Sequence, residues 1–316
     1  FAAARRQLAL RIGPLERIAE SSSEVLPLWW RLGDLSVVTG DFDDAASWFA
    51  KLRAAAEDPS VRVAAIVREG HALFAAGESE QALELLDEAN ATIQEHGELA
   101  DQGNAALTRT LALLALGRPS EARDRAHSAG ADLASKGPLE TWLALSIAEA
   151  RAHCEVGELH RADRLCRTGL ANLPEGASGV LRANLEMGLA VSLQLQGRLE
   201  DAAKLFLEAG ERYRRAGRIV EQARAAEHLG TTAYQQGDWI SAIEVFETFH
   251  ALAERADSPR EVATALNSLG CLFRDIGQLD RAEDSLDRAL EIARRQRIPQ
   301  MEVVVLGNLA ECSAIR

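Results

Sequence analysis

A glycine recurs along this chain at an almost constant interval, and this repetition limits the chain to a small set of folds. Each glycine stands in a short polar segment of the kind that turns the backbone between two helices. After a first interval of 37 residues, the interval is 40 residues five times in succession. The glycines are Gly40, Gly77, Gly117, Gly157, Gly197, Gly237 and Gly277. Self-similarity at a fixed period of this length is typical of solenoids and other repeat arrays.

Small side chains keep phase with these glycines. Seven residues before the glycine the residue is small in most units, and five residues after it the residue is always alanine. The alanines are Ala45, Ala82, Ala122, Ala162, Ala202, Ala242 and Ala282. A methyl group allows two helices to cross closely, whereas a larger side chain would hold them apart. We therefore expect the seven alanines to pack the repeats together.

A large apolar side chain is expected beside this helix crossing, nine residues after the glycine. Phenylalanine or leucine stands there in five units, whereas the third and fourth units have only Ala126 and Cys166. These two units are therefore predicted to pack less well.

The segments between the glycines have the periodicity of helices. Apolar residues recur at three- and four-residue steps between Val262 and Phe273. Asp58-Pro59 and Ser258-Pro259 have the pattern of an N-cap followed by proline at the first helical position. Each unit is thus predicted to consist of helix A, a glycine turn, helix B and a linker, which makes the fold class all-α.

A small residue, a turn glycine and an alanine at these offsets resemble the tetratricopeptide repeat family. The phrases Asn267-Ser268-Leu269-Gly270 and Asn308-Leu309-Ala310 are similar to its longer-repeat members, which include kinesin light chains and the sensor arms of maltose-activator-type regulators. The usual unit of the family has about 34 residues, so the present units are longer. The resemblance implies a right-handed α-solenoid superhelix of antiparallel helix pairs, with helix A lining the concave surface and helix B outside.

The phase of the glycines divides the chain into repeats of a single solenoid over residues 1–316. Residues 1–23 are predicted to be helix B of a partial unit, and residues 24–298 to be seven full helix-pair units. Residues 299–316 are predicted to be helix A of a further partial unit. We therefore expect an array cut at both ends.

The phase also predicts which side chains of the helices A face the concave groove. The candidates for binding a peptide or protein partner are Trp30, Arg68, Asn184, Arg224, His228, Tyr234, Asn267, Arg274 and Asn308. An asparagine amide can donate to a peptide carbonyl and accept from its N–H, and arginine can hold a carboxylate with two hydrogen bonds. The alternative is that these are solvated side chains of a wide groove, and that Trp30 fills the interface with the preceding helix B.

Composition argues against several classes of function. The 35 Lys and Arg against 48 Asp and Glu make a net charge of −13, which repels nucleic-acid backbones. No apolar run reaches the length of a membrane span, so no membrane partner is expected. The four cysteines have no metal-ligand spacing, and His153 and His160 lie on opposite sides of Gly157. No nucleotide-binding or nucleophile motif is visible, so neither metal nor cofactor is predicted.

The sequence therefore favours a non-enzymatic scaffold or adaptor arm of a larger protein that binds a protein or peptide. We expect a bacterial protein, since alanine and arginine are abundant and lysine is scarce. We expect a cytoplasmic one, since the four cysteines are interpreted as reduced packing residues. The alternative is an effector-sensing regulatory arm of a signalling ATPase, kinase or transcription regulator. The identity of the partner and the oligomeric state stay open.

Overall fold

The structure, a computed structural model, describes residues 25–315, and every regular element within that range is a helix. The predicted partial helix of residues 1–23 lies outside the described residues. The sixteen helices are α1 (Leu26–Val38), α2 (Phe42–Ala55), α3 (Pro59–Ala75), α4 (Ser79–Glu88), α5 (Asn90–His96), α6 (Leu99–Ala115), α7 (Pro119–Lys136), α8 (Leu139–Glu155), α9 (Leu159–Ala171), α10 (Gly179–Leu195), α11 (Leu199–Arg215), α12 (Ile219–Gln235), α13 (Trp239–Arg255), α14 (Pro259–Asp275), α15 (Leu279–Arg295) and α16 (Pro299–Ile315).

The chain consists of two compact units, and the boundary between them lies between Gly157 and Glu158. The helices A of the first unit are α1, α3, α6 and α8, and those of the second unit are α10, α12, α14 and α16. Within each unit the helices stack as antiparallel pairs, each helix packing against its neighbour along the chain. The predicted all-α solenoid fold is confirmed.

The repeat glycines have a backbone conformation that explains their identity. All seven adopt a positive φ, between 69° at Gly117 and 94° at Gly77. Residues with a Cβ rarely adopt this left-handed conformation, which here ends helix A. At Gly237, for example, the turn closes with a hydrogen bond from the Asp238 amide to the Ala233 carbonyl at 3.0 Å. The glycine thus reverses the chain within a few residues and makes the two helices antiparallel.

Close helix crossings follow each turn. The seven alanines five residues after the glycines are completely buried. In α12, a Cβ added at Gly230 would lie only 2.6 Å from the ring of Phe246, and in α14 one added at Gly270 would lie 2.6 Å from Leu286. The bulky residue nine positions after the turn therefore packs directly on the backbone of helix A.

The third repeat shows how a smaller residue at this crossing is accommodated. Ala126 replaces the bulky residue, and Thr110 stands seven residues before the turn where four other repeats have glycine. Both residues are completely buried. Compared with those repeats, the third one thus has a larger side chain on helix A and a smaller one on helix B.

Charged residues are buried in the helices A of the first unit, eight residues before the turn. Glu69 is paired with Arg53 of α2 at 2.7 Å, and Glu149 with His127 of α7 at 2.9 Å. Arg109 holds the equivalent position in α6. The second unit has leucine at this position, as in Leu189 and Leu269. At this position, three repeats of the first unit thus have a buried charged side chain with a polar partner, whereas the first repeat has Leu32 and the second unit has leucine.

Candidate functional site: the face of the helices A

Neighbouring helices A of the second unit are joined by side chains that stand 41 residues apart. Gln194 donates to Gln235 at 3.3 Å, and Asn308 donates to Asn267 at 2.7 Å. Because the repeat is 40 residues long, these hydrogen bonds join positions of adjacent helices that are offset by one residue. We call the surface of the second unit formed by these side chains of α10, α12, α14 and α16 the helix A face.

Asn267 and Asn308 form an amide pair on this face. Nδ2 of Asn308 donates to Oδ1 of Asn267, and both side chains are half-buried. This leaves Nδ2 of Asn267 as a donor and Oδ1 of Asn308 as an acceptor. One donor and one acceptor are what the N–H and C=O groups of an extended peptide require.

A network of charged and hydroxyl groups lies nearby on α12, α14 and α16. The Tyr234 hydroxyl donates to Asp275, and Arg274 pairs with Asp275 at 2.9 Å and with Glu311 of α16. The hydrogen bond to Asp275, followed by burial, raises the pKa of Tyr234 to about 12. Arg274 is already engaged by two carboxylates, so it is less suited to hold an incoming carboxylate than its sequence position suggested.

Arg224 and His228 occupy the same face of α12 but differ in environment. The Arg224 side chain is 59% exposed, and its nearest carboxylate is Glu261 at 3.6 Å. The His228 ring stacks on Phe206 with ring centroids 5.1 Å apart. Burial, and then the charge of Arg224, lowers the pKa of His228, so the ring is neutral near pH 7. Arg224 remains accessible to a ligand, whereas His228 contributes to packing between α11 and α12.

The side chain of Asn184 already has a hydrogen-bond partner within the fold. Its Oδ1 accepts a hydrogen bond of 2.7 Å from the hydroxyl of Tyr213 in α11. Tyr213 is buried, and burial raises the pKa of its hydroxyl. A buried hydroxyl without a partner would be costly, so Asn184 has a structural role that its position on helix A did not reveal.

Trp30 and Arg68 lie together in the first unit. The Arg68 guanidinium is 4.7 Å from the centre of the Trp30 ring and also bonds to Asp34 at 2.6 Å. The edge of the Trp30 ring contacts Phe49 of α2, with centroids 6.4 Å apart. Trp30 is therefore contacted by Arg68 of α3 and by Phe49 of α2, while the preceding helix B lies outside the described residues.

Some ligand types find no site in the part of the chain that the structure describes. In residues 25–315, no group of three or more His, Cys, Asp or Glu side chains is arranged to hold a metal ion. The four cysteines there are free thiols. Among the described helices, none is both long and apolar enough to cross a membrane.

Family comparisons agree with the repeat pattern. A model of the tetratricopeptide repeat matches residues 221–295, and a second one matches residues 187–249. The resemblance to the tetratricopeptide repeat family is thereby confirmed, with the sequence match on the second unit. No curated protein sequence matches the chain.

Solved structures of the same fold cover most of the chain. A Rap protein complexed with Competence and Sporulation Factor is 16% identical, with a TM-score of 0.70 over 93% of this chain and 87% of the other. The quorum sensor NprR from B. thuringiensis, in its apo form, is 16% identical, with a TM-score of 0.61 over 92% and 81%. A signal transduction ATPase with a tetratricopeptide repeat sensor, from Pyrococcus horikoshii, is 15% identical, with a TM-score of 0.66 over 95% of this chain and 45% of the other. At this identity the likeness shows the fold.

Proposed function

We propose that the chain is a non-catalytic scaffold or adaptor arm that binds an extended peptide, or an extended segment of a protein, along the helix A face of its second unit. The observation that carries this proposal is the hydrogen bond between Asn267 and Asn308. It orients two amides on adjacent helices so that a donor and an acceptor remain side by side. We place the function in a bacterial cytoplasm and in signalling, which accords with the Rap and NprR structures named above.

Arg224 supplies a second element of recognition in this proposal. It is the most exposed cation of the predicted set on this unit, and its pairing with Glu261 is long. A carboxylate on the bound peptide would form a shorter, two-bonded pair with its guanidinium. The proposed ligand is therefore extended, is contacted through its backbone by the asparagines, and carries an acidic group.

Peptides selected from a random display library with the purified chain provide the test. We expect Asn267→Ala and Asn308→Ala each to raise the Kd about tenfold, or about 1.4 kcal/mol, for the loss of one oriented amide. Asn172→Ala is the matched control, because that asparagine is exposed at the end of α9 and bonds only to the Thr168 carbonyl of its own helix. If no peptide is enriched, or if all three variants bind equally well, the proposal is wrong.

The second candidate is an effector-sensing arm, and the Pyrococcus horikoshii structure favours it because there the same fold is a sensor in an ATPase. A sensor must differ in conformation between its free and bound states, whereas a scaffold need not. Small-angle X-ray scattering of the chain with and without the selected peptide separates the two. A change in radius of gyration on binding supports the sensor, and an unchanged value supports the scaffold.

A further inference from the structure

A cleft of about 560 Å³ lies in the first unit, between the helices B of the second and third repeats and helix α6. Its volume is within the range of sites for small molecules, roughly 300–1,000 Å³. It is separate from the helix A face of the second unit. The proposed peptide function makes no use of it.

Arg109 forms the floor of this cleft. Its side chain is only 8% exposed, although it carries a full charge in the middle of α6. One terminal nitrogen bonds to the carbonyl of Leu86, and Nε lies 3.0 Å from Asp87 without a well-aligned hydrogen bond. Burial is the largest influence on the pKa of Arg109 and lowers it. A buried guanidinium needs more compensation than this, because desolvation of a charge is expensive.

A second arginine converges on the same carboxylate. Nη1 of Arg125 bonds to both oxygens of Asp87, at 2.6 and 2.8 Å, and Nη2 lies 3.0 Å from Glu121. Two guanidinium groups thus share Asp87. In the described part of the chain, Nε of Arg109 is a buried N–H group without a hydrogen-bond partner.

The helix break beside the cleft is peculiar to this repeat. Helix B of the second repeat is interrupted at Ala89, which separates α4 from α5. The carbonyls that end α4 then need partners from outside the helix, and Arg109 provides one to Leu86. The same interruption places Asn90 and Gln94 on the cleft wall opposite Ser128 of α7. The side chains of these three residues are exposed and have no protein partner among the described residues.

An equivalent cleft in the second unit shows which substitutions are specific. It lies between α13, α14 and α15 and is lined at the same repeat positions by Leu266 and Leu269. In the first unit those positions hold Ala106 and Arg109. The first unit thus has a smaller side chain and a buried cation at these two positions, and its cleft is about 560 Å³ against about 470 Å³ in the second unit.

From this arrangement we propose that the cleft of the first unit binds a small molecule bearing a carboxylate or phosphate group. The anionic group is held by the N–H groups of Arg109 and Arg125, and Asn90, Gln94 and Ser128 contact its polar substituents. Arg125 is paired with Glu121 as well as with Asp87, and the carboxylate of Asp132 also lines the cleft, so the ligand must compete with these carboxylates for the two arginines. The cleft gives the array a small-molecule site independent of its peptide face.

Isothermal titration calorimetry of the full chain tests this with two probes, citrate and inorganic phosphate. We expect saturable binding of at least one probe with a stoichiometry of one, and binding of citrate or phosphate assigns the carboxylate or the phosphate class. Arg125→Gln is the key variant, because Arg125 is half-exposed and its loss leaves the buried Arg109–Asp87 contact in place. It is expected to weaken binding at least tenfold.

Arg288→Gln is the matched control, since Arg288 lines the equivalent cleft of the second unit. Its binding is expected to equal that of the unsubstituted chain, and circular dichroism checks that both variants are folded. The proposal is overturned if neither probe binds saturably, or if both variants lose affinity to the same extent. Neither result would affect the peptide proposal, whose asparagines lie in another unit.

Discussion

The backbone of Gly230 lies directly against the ring of Phe246, so closely that a Cβ on Gly230 would be 2.6 Å from two ring carbons. Phe246 is buried. Gly230→Ala should therefore destabilise the chain by about 1–3 kcal/mol, the usual cost of overpacking, despite the better helix propensity of alanine. The urea midpoint followed by circular dichroism measures this effect.

Gly210 provides the comparison for this substitution. It also lies inside a helix, α11, but a Cβ there would meet only the Cβ of Ala225 at an ordinary 3.5 Å. Gly210→Ala is expected to raise stability by up to about 1 kcal/mol. Equal effects of the two substitutions would show that the Gly230 crossing is not tight.

A second turn recurs every 40 residues, between helix B and the next helix A, and it predicts a stabilising substitution. Gly217, Asp257 and Arg297 all have positive φ, of 68°, 49° and 54°. A residue with a Cβ is strained there by roughly 1–2 kcal/mol, and glycine removes this strain. Glycine also increases the conformational entropy of the unfolded chain, which offsets part of the gain in stability. Arg297→Gly should therefore raise the denaturation midpoint by an amount equivalent to about 0.5 kcal/mol.

Arg295→Gly is the matched control for that turn. Arg295 is equally exposed but lies in the last turn of α15, where its φ is helical. Glycine should cost about 0.5–1 kcal/mol at this position. A loss of stability in both variants would contradict the assignment of strain to Arg297.

The bond between Asn184 and Tyr213 predicts a structural effect without an effect on binding. Tyr213→Phe should cost about 1 kcal/mol, and Asn184→Ala about 1–3 kcal/mol because it leaves the buried hydroxyl without a partner. The double variant should be no less stable than Asn184→Ala alone, which a double-mutant cycle measures. Peptide affinity should stay unchanged in all three. A weakened peptide complex in Asn184→Ala would return that residue to the binding surface.

His228 predicts a dependence of stability on acidity. Since its pKa in the folded state lies below the ordinary 6.5, the unfolded chain takes up the proton more readily. The contribution of His228 to the free energy of unfolding is therefore at its maximum above pH 6.5. It decreases as the pH falls from 6.5 through the lower pKa of the folded state. The slope for this one group is at most about 1.4 kcal/mol per pH unit.

His71 has a pKa lowered in the same direction, so the contribution of His228 must be isolated. Urea midpoints of the parent and of His228→Gln, measured across this range, provide the comparison. The parent should lose more stability on acidification than the variant. Identical slopes would mean that the ring of His228 is accessible to protons in the folded state.

The fold was predictable from the sequence because the same packing requirement recurs in seven repeats. Ala242 or Gly237 alone would have carried little information, but the same residue type in the same phase in every repeat indicates one steric requirement. The positive φ of Asp257 and Arg297 was not predictable, because glycine occupies the second turn only at Gly217. The three residues at this repeat position differ in type although their backbone conformation is the same.

The sequence predicted which helices carry the candidate site residues, but it did not predict the hydrogen-bond partners of those residues. Phase placed Asn184, Asn267 and Asn308 on the helices A, and the three are chemically identical in the sequence. Asn184 bonds to a tyrosine of the following helix B, while Asn267 and Asn308 bond to each other. The sequence signal for the cleft was a charged residue, Arg109, at a position eight before the turn that is leucine in the repeats of the second unit.

The sequence by itself determined the all-helical fold, the turns and the alanine crossings, because these depend on local backbone preference and on side-chain size at a constant spacing. The tertiary structure decided which polar groups are already satisfied and which remain for a ligand. That distinction depends on contacts between residues 23 to 41 positions apart, such as Arg109 with Leu86 and Asn308 with Asn267. Their geometry follows from how neighbouring helices are placed against each other, which no single repeat encodes.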